Sequence, residues 1–371
     1  MLKYKIGTVG AVMLMLTIVV AHTLLSLPRD ILVVTGSATI LNLIYITAIT
    51  LCLAYLIYRM LSNFPGLDII DISKLLGGKV FQKIIGIIFI SYFILSGGIM
   101  LRNFCEGLKV IYYPMTNIVF ILLMFIVAVC IANRLDFNAT LKTNLLILPL
   151  VLAGMLFLFF ANTKNFAPQR IFPILGHGIA QTFVTGLLNL SAFGGIAYLY
   201  FLPPLLKEPK NFKKITLISV GVTAIYLLLC VSTILFMFSS FINSNEISPL
   251  YNATRYIEFG SFFQRLESVF LLFWMLAFAC YLSIVTKFSM NIFKKITCIS
   301  TKKPLIDIFG LLIFAVALLP ENFAVSSKIE SSFYPYLVLS VVFVLGISIL
   351  CLANWKKRKK ESINGKEVPN E

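Results

Sequence analysis

Apolar residues along the chain fall into ten windows of about 20 residues, the length a helix needs to cross a bilayer, separated by short polar connections. The windows run approximately over 7–27, 38–58, 84–101, 117–133, 143–161, 179–202, 215–237, 266–286, 304–320 and 333–354. This pattern predicts an all-α integral membrane protein with ten transmembrane helices. The ninth window is the weakest, because it begins with Pro304 and contains Asp307. Two windows are interrupted. In the first, AHTLLSLP places His22, Thr23 and Ser26 where hydrocarbon would surround a helix, just before helix-disfavouring Pro28. In the sixth, Ser191–Gly195 reads SAFGG. Non-helical backbone at membrane depth is tolerated only where it is buried in protein or lines a wet cavity. Breaks at corresponding places in two halves of a chain point to a ligand site between them. The division gives two halves of five spans, about 7–161 and 179–354, within one polytopic domain that ends in a polar tail, 355–371. An odd number of spans per half sets the halves in opposite orientations, so the expected fold is a 5+5 inverted repeat with helices one and six broken.

Composition removes the soluble alternatives. The chain of 371 residues is 59% hydrophobic and 12% charged, against about 25% charged in an ordinary soluble domain. A net charge of +16 would suggest nucleic acid in a soluble protein. Here the cations lie in the connections, where they set orientation instead. Of the 31 Lys and Arg, 23 fall in the set of segments that includes both termini and 8 in the alternate set. Both termini are therefore expected in the cytoplasm. The basic tail from Trp355 reads as a topology anchor, with contact to anionic membrane lipids as the alternative. Residues 65–83 carry apolar positions at helical spacing between charges and predict a short interfacial helix. The longest outer connection, Phe241 to Arg265, is expected to cap the external face. The seven cysteines show no CxxC or Cys/His spacing and read as small buried thiols.

A broken helix frees N–H groups at one half-helix start and C=O groups at the other half's end, a cradle for a small zwitterion or ion. His22, Thr23 and Ser26 would line it from the first break, and Ser191, Phe193, Gly194 and Gly195 from the second. Close helix packing is the competing explanation for the paired glycines, and for Gly97-Gly98 it is the preferred one. His22 is either a titrating group or a neutral imidazole satisfied by neighbours, whereas His177 reads as ordinary surface. Arg102 and Glu106 have i,i+4 spacing and are expected to pair, with Arg265 or Glu267 of the eighth span reaching the same place. Lys142 opens the fifth span as a snorkelling lysine or, alternatively, a buried cation. No P-loop, HExxH or GxSxG occurs, and histidines and clustered acids are too few for a metal centre. No enzymatic activity, cofactor or metal is expected.

Several marks together carry a resemblance: LLSLPR at 24–29, SYF and RNFCEGLK in the third span, PILGHG at 173–178, SAFGG with the following FLP, and RLES with Trp274. In their order and spacing they resemble the B subunit of the spore germinant receptors, ten-helix membrane proteins of endospore-forming bacteria related to amino acid permeases. The resemblance implies a permease-like fold in which Ala21, Thr23, Ser96, Phe193, Gly195 and Tyr281 face a central pocket for a small nutrient such as an amino acid. It also implies two partners, a larger A subunit and a lipoprotein C subunit, in the spore inner membrane. Two departures stand out. Relatives often carry Gly-x-Gly where this chain has Ala21, His22 and Thr23, and many carry a glutamate where it has Ala197. Loss of that acid favours a sensor that binds without pumping over a stand-alone amino acid permease.

Overall fold

The computed structural model describes residues 5–23, 27–135, 137–238, 249–257, 266–299 and 303–364. Ser26 and Arg265 lie outside the described residues, as does most of the connection from Phe241. Each apolar window falls on a helix. In chain order these are α1 (Thr8–Thr23), α2 (Leu27–Thr35), α3 (Thr39–Ser62), α4 (Ile69–Tyr112), α5 (Ile118–Arg134) and α6 (Phe137–Ala161). After them come α7 (Ala180–Phe201), α8 (Phe212–Met237), the short α9 (Pro249–Arg255), α10 (Leu266–Thr297), α11 (Lys303–Leu318) and α12 (Phe323–Lys359). Among the described residues, 7 helices are long and apolar enough to cross a membrane, with α2 and α3 counted as one, and shorter apolar helices occupy Thr8–His22, Ile118–Arg134 and Pro304–Leu318. The protein is an all-α, multi-pass membrane protein.

The first predicted break, over Ala21 to Pro28, has its ends on α1 and α2, with Ala21–Thr23 closing α1 and Leu27 and Pro28 opening α2, while residues 24–26 lie outside the described residues. Pro28 stands in the first turn of α2, where a missing N–H costs nothing because that donor has no helical acceptor. Arg29 pairs with Asp30 at 3.0 Å and donates from Nη2 to Ser327 Oγ on α12 at 3.0 Å. The second break falls inside α7. Its first turn, Ala180–Val184, is widened and the rest is wound tightly, and Phe193 leaves helical geometry at φ −94°, ψ 24°. Such distortion frees carbonyls that must find other donors. Asn42, fully buried on α3, supplies them: its Nδ2 donates to Thr182 O at 2.7 Å and Gly186 O at 3.2 Å, while Asn189 donates to its Oδ1.

The same logic recurs in α12, which has widened turns at Ile329–Phe333 and Leu339–Leu345. Tyr200 of α7 donates its hydroxyl to Val342 O in the second of them at 2.7 Å. Gly346 makes this possible, since a Cβ there would lie 2.5 Å from the Tyr200 hydroxyl. α1 packs against α6, α7, α8 and α10, and α4 packs against α10, α11 and α12. The segments before α1 and after α7 are tied together: Ile6 N–H donates to Leu205 O at 2.7 Å, and Lys207 N–H to Ile6 O at 2.9 Å. The two interrupted helices therefore lie side by side in the interior.

The interfacial helix expected over 65–83 appears as the opening turns of α4. Asp68 caps it by accepting from Ile70 and Asp71 N–H, and Gly77 and Gly78 (φ +72°) bend it into the long apolar part. Lys295, at the end of α10, bonds Asp68 at 2.5 Å and Asp71 at 2.6 Å. Burial pushes the Asp68 carboxyl up to about 6 against the pull of Lys295. Gly98 packs closely on α11, where a Cβ would lie 2.4 Å from Val316, in line with the packing reading of Gly97-Gly98.

Not every expectation holds. Cys105, Cys230 and Cys280 are buried, but Cys52, Cys298 and Cys351 are exposed on the outside of the helix bundle. Apolar windows do not distinguish a thiol facing a neighbouring helix from one facing outward. Asp307, which weakened the ninth window, is held by Arg134 Nη2 at 3.1 Å to both carboxylate oxygens.

Candidate functional site

Around the breaks the side chains are packed rather than open. Ala21 and His22 close α1 at 1% and 4% exposure, and Thr23 ends the helix. Ser191, Phe193, Gly194 and Gly195 are all buried on α7. Gly195 sits directly against α1, since a Cβ there would lie 2.8 Å from the Met15 carbonyl oxygen. Only glycine allows that approach of two backbones.

On the other side, aromatic groups fill the space. His22 Nε2 lies 3.3 Å from the Tyr334 hydroxyl, and its ring stands 5.0 Å from that of Tyr334 and 6.2 Å from that of Tyr281. A Cβ on Gly194 would meet the hydroxyls of Tyr334 at 3.3 Å and Tyr92 at 3.6 Å. Tyr92, Tyr198, Tyr281 and Tyr334 are each buried. One helical turn from Tyr92, Ser96 is buried with its hydroxyl beside that of Tyr92. Phe193 lines a small cavity of about 10 Å³ together with Met15, Val19, Gly195, Ser219 and Thr223, with the Ser219 hydroxyl unpartnered. The arrangement is a closely packed, mostly aromatic cluster, and the small cavity beside Phe193 has room for about one water.

Of the predicted residues, the structure brings His22, Tyr281 and Gly194 together through Tyr334, and sets Gly195 against α1. Arg102 and Glu106 pair as expected, with Nε and Nη2 both 2.9 Å from Glu106 Oε1 and side chains 4% and 10% exposed. The further acceptors for the guanidinium differ from expectation. They are Ala317 O and Glu321 O, each at 3.2 Å, at the end of α11, a helix terminus that favours a cation. Glu267 is instead half-buried at the start of α10, within electrostatic reach of Tyr251. Lys142 is exposed. His177 is exposed but docked, with its Nδ1 3.3 Å from Val34 O and its ring against Gly36.

Sequence reasoning missed Tyr92, Tyr198, Tyr334, Asn103 and Glu330. The last two meet, Asn103 Nδ2 donating to Glu330 Oε2, and both are buried. The tenth window opens at the apolar run from Phe333 and so leaves Glu330 in a connection. The signal that would have placed it inside a helix is Asn322, which caps α12 by accepting from Val325 N–H.

The sequence model of a family described as spore germination protein matches residues 5–325 of this chain. Spore germination protein YndE of Bacillus subtilis (strain 168) is 24% identical over 365 residues, covering 95% of this chain and 98% of the relative. Spore germination protein A2 of the same organism is 24% identical over 285 residues, covering 76% of each chain.

Proposed function

We propose a function from the premise that this chain belongs to the spore germination protein family: it is the membrane subunit of a germinant receptor that binds a small nutrient, an amino acid in the first instance, between two broken helices. Ten spans cross the membrane as two inverted halves, about 7–161 and 179–354, with both termini in the cytoplasm. The observation that carries the reading is the approach of α7 to α1, where Gly195 backs onto the Met15 carbonyl and Tyr334 spans from His22 at the end of α1 to Gly194 beside the break in α7. Oriented half-helix ends there offer N–H and C=O groups to a carboxylate and an ammonium. Ala21, Thr23, Ser96, Ser191, Phe193 and Tyr281 surround the solute, and Phe193 closes over it. Occupancy is passed to the larger A subunit and the lipoprotein C subunit in the spore inner membrane.

A deletion strain tested across a nutrient panel is expected to lose its germination response to one nutrient or one narrow class. The purified chain in proteoliposomes is expected to bind that nutrient without accumulating it. Uphill accumulation would make the chain an amino acid permease instead, and an undiminished response to every nutrient would remove it from sensing.

The orientation has its own check. With the native cysteines replaced, a cysteine at Arg358 should react only with reagents that reach the cytoplasm, and one at Asn252 only with impermeant external reagents. The motive is the 23 to 8 partition of Lys and Arg. Labelling of both positions from one side would overturn the count of ten spans.

A further inference from the structure

Neither helix break contains an acid, yet a carboxylate stands in line with both. Glu330 is 5% exposed and occupies the widened turn Ile329–Phe333 of α12, one turn before Tyr334. Tyr334 in turn touches His22 at the end of α1 and Gly194 at the break in α7. An ionisable side chain buried in a membrane bundle is costly and marks function by default. Widened turns inside helices concentrate at functional sites.

Two polar atoms beside it are left without partners. Asn103 gives its Nδ2 to Glu330, but its Oδ1 accepts nothing, and neither does the Ser326 hydroxyl. They are 2% and 0% exposed. Ser326 lies one turn before Glu330, on the segment of α12 that packs against α4, the helix that carries Asn103. A buried acceptor left unpaired is destabilising, and the fit is to a group that brings donors. A hard metal ion takes about six or more oxygen ligands. A primary ammonium brings three N–H donors, matched by the Glu330 carboxylate, Asn103 Oδ1 and Ser326 Oγ, while the rings of Tyr281 and Tyr334 suit its positive charge.

We propose that Glu330, with Asn103 and Ser326, forms the subsite for the ammonium group of an amine-bearing solute. This rests on the reading that a solute binds between the breaks, and it names which end of that solute faces α12. The test uses the purified full chain in lipid nanodiscs and follows its thermal unfolding in methylammonium, tetramethylammonium or sodium chloride at equal ionic strength. Methylammonium is expected to raise the wild-type midpoint above that in sodium. Tetramethylammonium, which has no N–H, is expected not to. Glu330→Gln should abolish the methylammonium shift, and Ser326→Ala should require roughly 2- to 10-fold more methylammonium for the same shift, the worth of one hydrogen bond. Should Glu330→Gln fail to fold, the Ser326→Ala titration decides. The proposal is overturned if wild type does not respond, if sodium matches methylammonium, or if the variants respond like wild type. Loss of the shift in Glu330→Gln alongside a normal nutrient response in Gly195→Leu spores would keep the ammonium subsite and displace the solute from between the breaks.

Discussion

Replacing Glu106 with alanine is expected to remove most of the assembled protein from the membrane. With Glu106 gone the Arg102 guanidinium keeps only the carbonyls of Ala317 and Glu321 in a site where it is 4% exposed. An exposed i,i+4 pair contributes about 0.2–0.5 kcal/mol. Breaking a buried one costs about 3–5 kcal/mol, because a charge remains without its counter-charge. A loss of that size is a large part of the stability of an ordinary domain. It also loosens the junction of α4 with the end of α11. Quantitative immunoblotting of spore membranes against wild type is the measurement, and wild-type levels of Glu106→Ala would show that the pair carries no such weight.

The second large effect is expected from Gly195→Leu, with loss of the nutrient response. A Cβ at this position would stand 2.8 Å from the Met15 carbonyl oxygen, and a backbone atom cannot swing aside as a side-chain tip can. α1 and α7 must therefore separate, or the added side chain must enter the cavity that Gly195 lines with Phe193 and Ser219. Overpacking of this kind costs about 1–3 kcal/mol. Taken from the binding of the solute, that is a rise of roughly 5- to 150-fold in the concentration needed. Germination is titrated against nutrient concentration in spores whose receptor content is measured in parallel. A stably assembled Gly195→Leu receptor responding at the wild-type concentration would move the pocket elsewhere, with the outer segment Phe241 to Arg265 as the next place to look.

What the sequence makes legible here is local. His22, Thr23 and Ser26 ahead of Pro28 mark the first expected break, and SAFGG marks the second, where Phe193 leaves helical geometry. Arg102 and Glu106 declare their pairing by helical spacing alone. The remaining polar partnerships join residues far apart along the chain: Lys295 with Asp68 and Asp71, Arg134 with Asp307, Asn103 with Glu330, and Lys287 Nζ with the carbonyls of Asn133 and Leu135 that end α5. No periodicity encodes these. The distorted winding of α7 is likewise specified from outside it, by the Asn42 amide on α3. Tyr334 escaped notice for a related reason, since an aromatic in an apolar window reads as lipid-facing or core until its neighbours are known.

The place of Tyr334 and Glu330 on α12 bears on how the protein is made. Translation runs from the N-terminus, so both interrupted helices leave the ribosome well before the helix that plugs the space between them. A nascent chain that has emerged only as far as Leu318 holds His22, Tyr92 and Tyr281 without the hydroxyl that bridges His22 to Gly194, and holds Asn103 without its carboxylate. Until α12 inserts, these side chains lack the partners it brings. The bridge from His22 to Gly194 therefore forms only after α12 has been made. A chain cut short before Phe323 would present a membrane quality-control protease with an incomplete bundle.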